Sequence, residues 1–366
     1  MDPTRLHREC LVVDGHTDVP MRLDESRVDL TSECPDFHVD LPKLRRGGVD
    51  AAFFALYVPS ALSPEGGWQH ALHLHQLVVD QLVPQELELV TSGAQLRDSA
   101  SRGAVAVLLG LENGRPLQLP GTLEQCAAMG VRYVTLTHIA SHEWCDASTD
   151  SAVHGGLAPL GETLVRRMNE LGVLVDVSHI SDDAVRHVLA VSDVPVIASH
   201  SSCRALCDHP RNLPDELIRA IAAAGGVVMA NSYPAFLAPE AARAADLRLQ
   251  QLGPLLLAMD QVEDPSAAVM ARQRLVREWP LPPVPMAAFV DHILHLVAVA
   301  GEEHVGIGTD FDGIPEVLVG FEDATRFPDL TLALFERGLD ARAIRGILGE
   351  NFLRVLDRAE RRAAAA

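Results

Sequence analysis

A single lysine, Lys43, stands among 366 residues, and the 30 basic residues are outnumbered by 50 acidic ones. The resulting formal charge of -20 and pI near 5.1 leave no basic face for nucleic acid or an anionic membrane, so small solutes are the expected ligands. Cysteine is scarce as well. Six in a chain of this length do not make a disulfide framework, and Cys203 and Cys207, spaced i and i+4, lack a second pair to complete a zinc site. No apolar run approaches bilayer-spanning length, and residues 1–10 hold no apolar core of the signal-peptide kind. Together these absences predict a soluble, cytoplasmic protein with reduced, idle thiols and no membrane partner.

What is present is apolar mass in short pieces. With 48% hydrophobic residues and a mean hydropathy of +0.12, the chain can bury a large core. Strand-like runs at 11–14, 49–57, 104–111, 131–137, 173–178, 194–199, 226–231 and 304–309 alternate with amphipathic stretches such as 160–171 and 213–224. Eight such βα units predict a closed (β/α)8 TIM-like barrel. A doubly wound sheet is the alternative, but neither G-x-G-x-x-G nor G-x-x-x-x-G-K-[ST] follows any run, which removes its usual phosphate-cradling rationale. One domain over residues 1–366 is expected, with long excursions at about 58–103 and 232–303 and a frayed helix at the Arg361-Arg362 and polyalanine end.

The apolar runs keep ending in a histidine or a carboxylate: His16 and Asp18, Glu112, His138, His179, His200 and Asp310. In a parallel barrel all C-terminal strand ends share one mouth, so these residues would converge. His16 and Asp18, at i and i+2 of an extended stretch, point to the same side and can reach one ion. Glu112 follows a fully apolar strand, where a carboxylate is costly unless paired or metal-bound; a salt bridge or a helix cap is the plainer alternative. His179 and His200 end consecutive strands, and neutral imidazole is a standard zinc ligand. The residues therefore point to a metal site. Two ions would need an anionic bridge. The lone lysine precedes the second strand rather than ending one, so a carboxylated lysine is excluded and Glu112 is the best-placed carboxylate.

Other signals are weaker. Asp312 could be the functional acid in place of Asp310, but the Asp-Gly step after it reads as a loop turn. His70, His73 and His75, like His292 and His295, read as solvated or core-edge histidines. Ser199-His200-Ser201 lacks the strand-turn-helix elbow of a serine nucleophile. His142-Glu143 is no zincin motif, because position 146 is aspartate.

The sequence resembles the membrane (renal) dipeptidase family of the amidohydrolase superfamily, in its soluble bacterial form. The matching stretches run through the whole chain in family order: Asp14-Gly15-His16-Thr17-Asp18, Asp40-Leu41-Pro42 to Gly47-Gly48, Gly110-Leu111-Glu112-Asn113, Leu136-Thr137-His138, His154-Gly155-Gly156-Leu157, Val175-Asp176-Val177-Ser178-His179, Ser199-His200-Ser201-Ser202, Pro210-Arg211-Asn212-Leu213, Gly306-Ile307-Gly308-Thr309-Asp310-Phe311-Asp312-Gly313 and Gly349-Glu350-Asn351-Phe352. The resemblance implies an amidohydrolase-type barrel and a binuclear zinc dipeptidase. Its substrates would be dipeptides with a free C-terminal carboxylate, and C-terminal D-residues fall within that expectation. By this likeness His16 and Asp18 hold one Zn²⁺ and His179 and His200 the other, with Glu112 and a water or hydroxide between them. Arg211 would bind the substrate carboxylate, although composition alone reads it as an exposed loop arginine. His138 would steady the oxyanion, Asp310 would shuttle the proton, and the likeness implies a homodimer. After His138 the chain departs from the family pattern, reading Ile139-Ala140-Ser141-His142-Glu143-Trp144-Cys145-Asp146 where an asparagine-containing segment and a Pro-Trp step are usual. Hydrolysis of N-acyl-amino acids or lactones by the same metals, and a non-catalytic metal-binding scaffold, are the competing expectations.

Overall fold

A computed structural model describes residues 2–259, 276 and 278–365; positions 260–275 and 277, within the second excursion, lie outside the described residues. The apolar runs become strands β1 (Val13–Thr17), β2 (Ala51–Tyr57), β3 (Leu87–Leu89), β4 (Val105–Glu112), β5 (Val131–Thr135), β6 (Leu174–Asp176), β7 (Ile197–Ala198), β8 (Val227–Ala230) and β9 (Val305–Ile307). Eight of them pair in parallel in the order β1-β2-β4-β5-β6-β7-β8-β9. The ring closes just beyond β9, where the Asp310 N–H donates to the His16 carbonyl at 3.0 Å and the Asp18 N–H to the Phe311 carbonyl at 2.9 Å. Asp14 sews the same seam, its carboxylate accepting the Thr309 N–H at 2.9 Å and the Thr309 hydroxyl at 2.6 Å. The fold is the expected (β/α)8 barrel rather than a doubly wound sheet. β3 is absent from the eight predicted runs. Its Leu87-Glu88-Leu89 alternation is too short to register as a strand, and it pairs with β4 alone, outside the ring.

Strand alternation sorts the side chains. Ala51 and Phe53, Ala106 and Leu108, Leu174, Ile197, Val227 and Met229 fill the barrel interior. Ala52, Phe54 and Leu56 with Val107, Leu109 and Leu111 face the surrounding helices. The same inward parity, followed to the strand ends, carries Tyr57, Glu112, Asp176 and Asn231 to the top of the interior. The chain's last helix, Asn351–Ala364, closes the bottom, burying Phe352, Leu353, Val355, Leu356 and Ala359. Phe352 meets Phe53 edge-on at 5.2 Å. The end expected to fray is thus helical to Ala364, because an apolar stripe at helical spacing anchors it while Arg361 and Arg362 stay on the outer side.

The predicted stretch at 213–224 forms a helix from Asp215 to Ala223, with Pro214 as its N-cap. The first excursion holds the helix Pro64–Gln81, started by Ser63, whose hydroxyl accepts the Gly66 N–H at 3.1 Å. The second holds helices Pro234–Leu237, Pro239–Met259 and Met286–Ala300. No described helix is long and apolar enough to cross a membrane. All six cysteines are free and buried.

Candidate metal centre and substrate cavity

Every strand-end residue singled out in the sequence reaches the barrel mouth. Glu112, the inward residue that ends β4, is the hub. Its Oε2 lies 3.5 Å from His16 Nε2, and its Oε1 lies 3.2 Å from His179 Nε2, 3.5 Å from His200 Nε2 and 3.9 Å from His138 Nε2. No arginine or lysine pairs with it among the described residues; its neighbours are four imidazoles. Asp18, at the N-cap position of the helix Val19–Glu25 but with its side chain turned to the centre, places Oδ2 3.3 Å from His16 Nε2. Asp310 completes a cluster with His16 and Asp18 in which ligand atoms lie within 4.8 Å of one another. A hydrogen bond from Asn231 Nδ2 to Asp310 Oδ2 at 2.9 Å orients that carboxylate.

These atoms fit divalent metal better than they fit one another. The buried His16 Nε2 has no hydrogen-bond partner. His179 Nε2 and His200 Nε2 face each other at 2.9 Å, an arrangement in which two neutral imidazoles would oppose lone pairs unless a cation or proton lay between them. Burial pushes His179 and His200 well below the usual imidazole range, toward the neutral form that ligates metal. Burial works the same way on His16, but Tyr133, Glu112 and Asp18 outweigh it and favour positive charge at that point. Burial raises Asp18, and it lifts Asp310 to about 7. A nitrogen-and-oxygen donor set of this kind suits a divalent transition metal rather than calcium or magnesium.

The backbone is held out of its ordinary range here. His179 and Asp310 have φ of 69° and 65°, a region costing non-glycine residues on the order of 1 kcal/mol or more. Gly313 has a spatial reason: a Cβ there would come 2.1 Å from Asp18 Oδ2 and 2.8 Å from Asp310 Oδ1.

A supporting layer was not singled out in the sequence. His16 Nδ1 meets the Tyr133 hydroxyl at 2.7 Å inside the barrel, and His200 Nδ1 meets Ser199 Oγ at 2.7 Å. Ser199 in turn donates to Asp176 at 2.6 Å, and Asp176 also accepts from Thr135 Oγ1 at 2.6 Å. Such contacts fix which imidazole nitrogen faces the centre. Gly110 makes room for the tyrosine, since a Cβ there would lie 2.3 Å from its ring. The one available signal was Asp176, a carboxylate inside the apolar run Val175-Asp176-Val177.

A cavity of about 570 Å³ opens above the centre. Arg211 lines it and is only 5% exposed, which corrects the reading as an exposed loop arginine. Its guanidinium lies 5.5 Å from the centre of the Phe236 ring, its Nη2 donates to the His200 carbonyl at 3.1 Å, and its buried Nε has no partner. Burial lowers it to about 10 despite Asp310 and Glu112 nearby. His138 also lines the cavity, with 20% of its side chain exposed against 0% to 8% for the other three imidazoles. Asp312 is no simple loop residue. It is buried and accepts the N–H groups of His38 at 2.8 Å and Val39 at 3.1 Å, anchoring the segment before the helix Leu41–Arg46. Lys43 is buried, paired with Asp40 and donating to the Cys34 carbonyl at 2.7 Å, and is not among the residues lining the cavity.

The discounted groups stay outside the site. His73 pairs with Asp24 at 2.7 Å, and His295 with Asp215 at 2.8 Å. His292 is buried between the Cys203 N–H and the Leu237 carbonyl. Glu143 pairs with Arg115 at 2.8 Å.

A parallel eight-stranded barrel whose mouth gathers imidazoles and carboxylates presents a donor set that can hold divalent metal. The model of the membrane dipeptidase family, peptidase family M19, matches residues 2–366. An uncharacterized dipeptidase of Schizosaccharomyces pombe is 32% identical over 365 residues, covering 94% of this chain and 80% of that protein. Dipeptidase verJ of Clonostachys rogersoniana is 30% identical over 371 residues, covering 95% and 84%. The crystal structure of the probable dipeptidase PvdM from Pseudomonas aeruginosa superposes with a TM-score of 0.84 at 26% identity, covering 99% of this chain and 98% of that one. The chain belongs to the membrane dipeptidase family, M19, a family of metallopeptidases, and is a dipeptidase of that family.

Proposed function

We propose that this protein is a binuclear zinc dipeptidase that hydrolyses dipeptides bearing a free C-terminal carboxylate. The observation that carries the reading is the split of Glu112, one oxygen toward His16 and the other toward His179 and His200. His16 with Asp18 would hold one ion, His179 with His200 the other, and Glu112 would touch both. Bound there, the ions would bring the pKa of a shared water toward neutrality and polarise the scissile carbonyl.

The remaining steps belong to the chain's own side chains. Arg211, braced by Phe236, presents an unpaired N–H edge to the substrate carboxylate. A longer peptide would have no carboxylate at that position. His138, the most accessible of the four imidazoles, donates to the carbonyl oxygen as negative charge builds on it, a contribution of about 3 kcal/mol for donors of this type. Asp310, oriented by Asn231, takes the proton from the attacking water and returns it to the leaving amine.

Strands from residue 13 to 307 in one ring, with the helix Asn351–Ala364 beneath it, support a single domain to which both excursions belong. Free buried cysteines support a reducing compartment, the cytoplasm. The deciding experiment compares metal-stripped and zinc-reloaded protein on L-Xaa-L-Xaa and L-Xaa-D-Xaa dipeptides, N-acyl-amino acids and lactones. Metal-dependent turnover of dipeptides is expected. Turnover confined to N-acyl-amino acids or lactones, or none on any dipeptide by folded, metal-loaded protein, would overturn the assignment.

A further inference from the structure

We propose that the site selects dipeptides whose N-terminal residue carries an apolar side chain, and that Ile139 with Tyr57 forms the wall that makes this selection. The inference rests on the dipeptidase reading and deepens it. The order of strands around the ring sets the substrate's direction. Arg211 follows β7 and Phe236 follows β8, whereas Tyr57 ends β2 and His138 and Ile139 follow β5. The two groups therefore stand on opposite sides of the mouth, facing each other across the cluster of His16, Glu112, His179 and His200. A dipeptide anchored by its carboxylate at Arg211 and by its scissile carbonyl at the centre must place its N-terminal residue beside Tyr57, His138 and Ile139.

The chemistry of that wall is apolar and fixed. The Tyr57 ring stands edge-on to His138 at 4.8 Å, and Ile139 lines the same cavity with 56% of its surface exposed. The loop that carries Ile139 is tied in place. Its carbonyl accepts from Thr149 Oγ1 at 2.9 Å, and the Ser141 N–H donates to Asp150 Oδ2 at 2.9 Å. The buried Asp146 gathers the N–H groups of Val153, His154 and Gly156 at 2.8 to 3.1 Å. On the same side of the mouth, Arg115, which follows β4, joins Glu143 to the carbonyls of Ser60 and Leu62, so the loops after β2 and β5 hold together. A substrate side chain thus meets a prearranged apolar surface rather than a loop that must first be ordered.

Charge in the cavity reinforces the choice. Arg211 is taken by the C-terminal carboxylate. Arg248, the other cation among the described lining residues, is already paired with Glu316 and reaches the Tyr233 hydroxyl at 3.2 Å. An acidic N-terminal side chain would therefore lose its hydration against the Tyr57–Ile139 wall with no free arginine there to meet it. Each methylene that a substrate side chain buries against this wall should raise kcat/KM about fourfold.

The test measures kcat/KM on Gly-Ala, Ala-Ala, Leu-Ala, Phe-Ala and Asp-Ala with zinc-loaded wild type, Ile139→Asn and Ile139→Ala. Both replacements sit at an exposed side chain, and thermal melts and metal content confirm folded, loaded protein. The wild type should rank Leu and Phe above Ala and Ala above Gly, with Asp-Ala at least tenfold below Ala-Ala. Ile139→Asn should lower the Leu-Ala to Gly-Ala ratio at least fivefold, and Ile139→Ala should lower it by a smaller factor. Equal turnover of Asp-Ala and Leu-Ala, or an unchanged ratio in both variants, overturns the inference and leaves the dipeptidase reading standing. No turnover of any of the five by folded, loaded wild type overturns both.

Discussion

Tyr133 reaches the candidate metal centre from below, through the barrel interior, and its hydroxyl is the only described group that meets His16 Nδ1 at hydrogen-bond distance. Tyr133→Phe keeps the ring that packs 4.7 Å from Phe53 and removes only that contact. Metal affinity, read by competition with a chromogenic chelator, should fall by about 10- to 100-fold while the melting temperature of the metal-free protein changes little. An unchanged affinity would show that His16 needs no such partner. At the other end of the cavity, Arg211→Met should raise KM by roughly 30-fold or more, on the scale of ~2–5 kcal/mol for truncating one partner of a buried charge pair. Zinc content should not change, and normal dipeptide KM in this variant would remove Arg211 from carboxylate binding. The two residues differ in how far the sequence discloses them. His16, Glu112, His179 and His200 stand out because polar groups close apolar runs. Tyr133 and Ser199 do not, because their partners are chosen by inward parity across neighbouring strands, which linear spacing leaves unspecified. Arg211 looks like any loop arginine until the fold buries it.

At the scale of elements, the predicted runs correspond one for one with the eight ring strands, since β-branched apolar stretches between turn residues carry a strong local signal. β3 escaped because three residues carry too little pattern. The helix at the C-terminal end is legible as one expected to fray, because its last residues are arginine and alanine; its anchoring depends on a tertiary contact with the barrel floor that the sequence does not show. That contact has a measurable worth. Phe352→Ala, which empties the space against Phe53, should destabilise the protein by about 3–5 kcal/mol, seen as a lowered midpoint in urea. A loss below about 1 kcal/mol would mean the floor is closed by other contacts. The long excursions disclose helical spacing at His70, His73 and His75 and at His292 and His295 but not its bounds, because the helix Pro64–Gln81 mixes histidines and glycines with its buried Trp68, Leu74 and Val78.

For the whole molecule, ionisation and burial are coupled. Burial holds His38, His142, His209 and His292 at about 4, while it raises Asp14 and Asp50 to about 6 and Asp312 to about 7. The imidazole contribution to stability is present above the unfolded value near 6.5 and is lost as pH falls toward 4. The carboxyl contribution is present below about 4 and is lost as pH rises through 6 to 7. The opposition can be separated at His292, which needs its neutral form to accept from Cys203 and donate to Leu237. His292→Gln should be destabilised relative to wild type at pH 7.5, and that gap should shrink by up to about 2 kcal/mol at pH 5. A gap that widens on acidification would contradict a neutral buried imidazole.

The seam between Asp14 and Thr309 gives the molecule a temporal property as well. The hydrogen bonds that close the ring, and the carboxylates on either side of them, join residues near the start of the chain to residues beyond position 300. A ribosome must release the chain through position 311 before Asp310 can stand beside His16 and Asp18. Chains that stop before Thr309 therefore lack both the closed ring and the Asp310 carboxylate, and the centre is completed only once the last ring strand has emerged.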